Sequence, residues 1–133
     1  MGECHIPEVT TLAKEMAEAA LWQIPAPNYF AGLQIFTDIQ TGDDRVRSVE
    51  LTIRIGTMTS FIAICRVQKE LNKWEPGDCT ITLSSMPGVS WSLKCRRVDN
   101  QMRATKAQSD ASADSTLADH VRPDDQLRLH YGT

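Results

Sequence analysis

Histidines, cysteines and paired carboxylates are the residues with which a small chain most readily does chemistry, and here their spacing supports little of it. His5, His120 and His130 all lie in the terminal regions. Cys4-His5 is not a zinc-finger spacing and no CxxC or HxxxH completes it, so no metal site is expected. Gly88-Val89-Ser90-Trp91-Ser92 lacks the closing glycine of a nucleophile elbow and leads into a strand rather than a helix. No glycine-rich phosphate loop of the P-loop or dinucleotide type occurs. Glu15 and Glu18 lie three residues apart on one helix, but acid–base work needs a pocket that shifts one pKa of such a pair. The chain is therefore expected not to be an enzyme, to hold no cofactor and to take no small-molecule substrate.

What remains is electrostatic. The net charge is −3, yet residues 45–106 hold eleven Lys and Arg against five Asp and Glu. Residues 1–44 carry one Lys against seven acids, and residues 107–133 two Arg against five. A basic middle between acidic ends marks either a binding surface or ends folded back over the middle. Arg45, Arg47, Lys94, Arg96, Arg97 and Arg103 are the candidate contacts for an anionic surface, RNA phosphates or an acidic membrane. The three Trp, two Tyr and three Phe are too few to fill a core and also stack many bases.

These side chains need a scaffold, and Arg47 to Val67 supplies its centre. Val49, Leu51, Ile53 and Ile55 alternate with Ser48, Glu50, Thr52 and Arg54, the period of a strand with one buried face. Gly56-Thr57 suits a two-residue type II′ turn, which would set Leu51 opposite Ile62 and Val49 opposite Ile64. Phe61 to Cys65 is apolar on both faces and asks for cover on two sides. Before this hairpin, Pro7 to Trp22 has helical period, with Val9, Leu12, Ala13, Met16, Ala19 and Ala20 in one stripe. Leu33, Ile35, Thr37 and Ile39 read as one face of a first strand, closed by the turn residues TGDDR.

After the hairpin, QKELNKWEPGD reads as a loop with Pro76-Gly77 at the centre of a type II turn. Trp74 is then a lid on the sheet or a surface anchor. Cys79, Ile81 and Leu83, then Val89, Trp91, Leu93 and Cys95, alternate with polar residues as two further strands. From Asp99 the chain turns polar, so the globular domain is placed at residues 1–98 and a mobile segment at 99–125. Leu127, Leu129 and Tyr131 alternate again, the pattern of an edge strand over 126–133 and, with Trp74, a candidate protein interface.

The expected fold is α+β: an N-terminal amphipathic helix packed on an antiparallel sheet of about five or six strands, followed by a polar C-terminal tail. A β-sandwich or partly closed barrel with one helix is the alternative. Cys65, Cys79 and Cys95 fall in strands, where a reduced thiol acts as a small hydrophobe. With no secretory signal and no apolar run of membrane length, a soluble, intracellular protein is expected. A non-enzymatic interaction or self-assembly protein is the expected function, with itself or another protein as partner. A binder of RNA or acidic membrane comes second and a small enzyme third.

Overall fold

The computed structural model describes residues 5–25, 32–57 and 59–106. One helix, α1 (Pro7–Leu21), is followed by β1 (Leu33–Gly42), β2 (Val46–Ile55), β3 (Thr59–Glu70), β4 (Lys73–Leu83), β5 (Ser90–Val98) and β6 (Gln101–Lys106). The strands form a single open antiparallel sheet in the order β1-β2-β3-β4-β5-β6, with α1 across one face, so the fold is α+β and the sheet is not closed. No helix among the described residues is long and apolar enough to cross a membrane.

The helix begins where Pro7, lacking an N–H, costs nothing and Glu8 meets the positive end of the dipole. Val9, Leu12, Ala13, Met16, Ala17, Ala20 and Leu21 are buried, the 3–4 spacing of one helical face. Three of these are alanines, which let the helix axis come close to the sheet. Beneath them lie Val49, Leu51, Ile53, Phe61, Ala63, Cys65, Cys79, Ile81, Leu93 and Cys95. The helix end is tied down by Gln40, whose side-chain amide donates to the Ile6 carbonyl (3.2 Å) and accepts from the Ile6 N–H (3.1 Å). The same amide donates to Thr10 Oγ1 (2.9 Å).

Four readings of the sequence are corrected by the strands. The β2–β3 turn is a three-residue loop, so Val49 faces Cys65, Leu51 faces Ala63 and Ile53 faces Phe61. That slip of one residue sends Ile62 and Ile64 to the side away from the helix. In β1 the register shifts between Thr37 and Ile39, leaving Asp38 as a bulge. Past it the phase reverses: Gln40 turns inward, whereas Ile39 is exposed.

The third correction concerns Pro76-Gly77, which lies inside β4 rather than at a turn. The chain reverses instead at Leu71-Asn72, whose φ values of 51° and 64° are those of a two-residue type I′ turn. Between the pairs Cys65–Cys79 and Val67–Pro76 the partner strand has an extra residue, a bulge in which Pro76 is tolerated. A Cβ at Gly77 would stand 2.7 Å from the Arg66 carbonyl oxygen, so only glycine fits. Fourth, the polar stretch from Asp99 opens with another type I′ pair, Asp99-Asn100, and continues as β6, paired with β5 from Val98–Gln101 to Leu93–Lys106. The ordered domain thus extends past residue 98. The remaining tail, residues 107–133, lies outside the described residues.

Replacing Gly77 with Ala should force the bulge open and cost about 1–3 kcal/mol, as overpacking does. A lower urea midpoint at unchanged slope would show it; an unchanged midpoint would mean the Arg66 carbonyl yields freely.

Candidate interaction face

Among the described residues, only one side of the sheet has a helix on it. The other side is built from the residues that alternate with the core, and the pairing places them in rows. One row runs Phe36–Thr52–Ile62–Thr82–Ser90, and the next Ile39–Glu50–Ile64–Thr80–Ser92. A third brings Ser48, Arg66, Asp78 and Lys94 together, with Arg66 Nε 4.0 Å from Asp78 Oδ1. Phe36, Ile39 and Ile64 are each 43–52% exposed. Large apolar side chains standing this open in adjacent rows form a patch rather than scattered exposure.

The structure divides the sequence-predicted basic residues. Lys94 and Arg96 lie on the open face of β5, and Arg103 faces Arg96 directly across the β5–β6 pair. Like charges directly opposite one another destabilise a sheet; Arg103 meets the side-chain oxygen of Gln101 at 2.9 Å. Arg97 is on the helix side, 3.2 Å from Glu15 in a half-exposed ion pair. Arg45 sits in the β1–β2 turn, with β3 and β4 between it and the β5 cations.

Arg47 is only 3% exposed and belongs to the interior. Its Nε donates to Gln40 Oε1 (2.7 Å) and its Nη1 to the Asp43 carbonyl (2.9 Å), so it locks the β1–β2 turn to the clamp on α1. In that turn the Asp43 carboxylate accepts from the N–H groups of Val46 and Arg45 (2.9 and 2.8 Å), which holds its pKa below the usual value.

Trp74 is 5% exposed on the helix side of β4, with the Lys69 ammonium 5.5 Å from its ring centre, and so acts as the lid, not the anchor. Leu127, Leu129 and Tyr131 lie outside the described residues. Glu15 and Glu18 line a shallow groove of about 280 Å³ with Ala19, Trp22, Arg97, Asn100 and Met102. Glu15 is engaged there by Arg97. Among the described residues no cluster of three metal-ligating side chains occurs.

The open face was missed in part because the alternation in β3 is apolar on both sides. Register, which the turn length decides, determines which of Phe61 to Cys65 point outward. No protein-family model, curated protein or solved structure matches the chain.

On the helix side, three thiols lie buried in the core. Cys65 and Cys79 face each other on β3 and β4 with their sulfurs 3.3 Å apart, and both are free thiols. Cys65 Sγ also donates to the Ala13 carbonyl of α1 (3.4 Å). The hydrogen bond to Cys65, then burial, pushes the Cys79 pKa well up. Burial alone dominates at Cys95, raising it to about 12.

Above the ordinary thiol value of 9.0 the unfolded chain releases these protons while the folded one keeps them. Their contribution to stability is therefore complete below pH 9 and is lost as pH climbs toward 12. Urea unfolding of the native chain and of Cys95→Ala across that window should show a shallower decline in the variant, by at most about 1.4 kcal/mol per pH unit. Identical slopes would mean that Cys95 is not kept protonated by the fold.

Proposed function

We propose that this chain is a non-enzymatic interaction or assembly protein whose uncovered sheet face is the contact surface. The observation that carries this reading is the pair of rows holding Phe36, Ile39, Ile62 and Ile64 on a face that no helix of the described residues covers. Apolar side chains running from the edge strand β1 to the central strand β3, with Thr, Ser and charged groups beside them, have the mixed composition of a protein interface. The sheet does not need that face for its own core, which is complete beneath α1.

A photo-reactive amino acid at position 64, in the cells that make the protein, should cross-link it to a protein chain. The same group at Lys14, on the exposed side of α1, should not. Absence of any protein adduct from position 64 would overturn the reading.

A second reading, binding to an anionic surface, rests on Arg96 and Arg103. Two guanidinium groups set opposite each other beside Lys94 lower their mutual repulsion when an anion lies between them. Arg96→Glu turns that repulsion into an attraction within the sheet, so the fold should keep its stability. Binding to single-stranded RNA or to acidic vesicles should weaken roughly tenfold or more and lose part of its salt dependence. Binding that survives the substitution would dismiss this patch.

A further inference from the structure

The open face carries a charge pattern that is complementary to itself when turned over. Its middle holds Ile62, Ile64, Thr80, Thr82 and Thr52, with one ion pair, Arg66–Asp78, in the next row. The β5–β6 side is basic through Lys94, Arg96 and Arg103, and no carboxylate lies between Arg96 and Arg103 in the register. The β1–β2 side holds Asp38 and Glu50, with Asp44 in the exposed turn at its end. Two cations share that side, Arg45 in the turn beside Asp44 and Arg54 at the opposite end of β2, paired with Gln34 and Ser60, so with Asp43 the acids still outnumber them.

We propose that the face is closed by a second copy of this chain, packed sheet to sheet about a two-fold axis parallel to the strands. This rests on the reading of the open face as a protein contact surface. Such an axis keeps each residue's height along the strands and exchanges the two sides of the sheet. It lays β5–β6 of one copy over β1–β2 of the other. Lys94 shares its row with Ser48, the outward neighbour of Glu50, while Arg96 lies one step further toward the Asp43–Asp44 turn. The basic side of each copy therefore meets the acidic side of its partner twice, and at the centre Ile62 and Ile64 of each copy lie over Thr82 and Thr80 of the other.

The dimensions fit. Six strands spaced about 4.8 Å apart span about 24 Å, and eight or nine residues along them about 28 Å. The resulting footprint of roughly 700 Å², before corrugation, is close to the ~800 Å² per partner of a standard interface. Sheets that pack face to face in this way form the aligned sandwich, whose interior is filled from both inner surfaces.

The test measures the mass of the full chain by sedimentation equilibrium over a concentration series. The native chain should be dimeric. Ile64→Lys, which places a cation opposite Glu50 within its own sheet and so spares the fold, should shift it to monomer with an unchanged melting curve. Two charge-reversed forms, Asp44→Lys with Glu50→Lys and Lys94→Glu with Arg96→Glu, should each self-associate roughly tenfold or more weakly. Mixed in equal amounts, they should pair again, because every contact across the two-fold axis is then between opposite charges. A native chain that stays monomeric at its highest soluble concentration overturns the proposal, as does a dimer indifferent to Ile64→Lys or a mixture that fails to pair. If the chain is monomeric yet position 64 cross-links to a different protein, or Arg96 is needed for RNA binding, self-pairing falls and the face belongs to that other occupant.

Discussion

Everything in this molecule depends on how closely one helix can lie on one sheet. Ala13, Ala17 and Ala20 place almost no side chain between the α1 backbone and the strands, and the Cys65 thiol reaches the Ala13 carbonyl directly. Larger residues at those positions would lift the helix and open voids over β3 and β4, and a packed interior leaves little room for either change. Fifteen helical residues extend about 22 Å, nearly the width of six strands, so a single helix touches all of them. The strand ends that project beyond it are closed by large side chains: Phe61 edge-on to Trp91 at one end and Trp74 at the other.

Covering one face with one helix leaves nothing in the described chain to cover the second. Polar alternation solves this over most of the area, through Ser, Thr and charged residues that hydrate well. It fails at Ile62 and Ile64, where the central strand is apolar in both directions. The basic residues divide along the same boundary. Arg47 is spent on holding the β1–β2 turn to the helix clamp and Arg97 on Glu15, so the patch that remains is smaller than a count of cations implies.

The helix, its buried stripe and most of the strand alternation were legible in the sequence, because periods of 3.6 and 2 survive any detail of the turns. What was not legible depended on single residues. A three-residue rather than two-residue loop after Ile55 exchanged the faces of β3 by one position. Asp38 reversed the phase of β1, which no periodicity could reveal. Pro76-Gly77 gave a strong turn signal that belonged to a bulge, whereas Leu71-Asn72 made the true reversal without glycine. β6 is only six residues long with few apolar side chains, and its strand state comes from pairing with β5 rather than from its own composition. The burial of Arg47 depended in turn on Gln40, which the phase reversal brought inward.

The order of the elements along the chain also sets the order in which they become available during synthesis. The helix precedes every strand, but its firmest supports include β4 and β6, and β6 is the last strand among the described residues. At roughly 5–20 residues per second the ribosome needs on the order of ten seconds to deliver that floor. Each strand meanwhile finds its neighbour through a short hairpin as it emerges, so the sheet grows one edge at a time. Until it is wide enough, the apolar stripe from Val9 to Leu21 has no completed surface to dock on, and a half-built sheet leaves it exposed in the way that makes incomplete chains prone to aggregate.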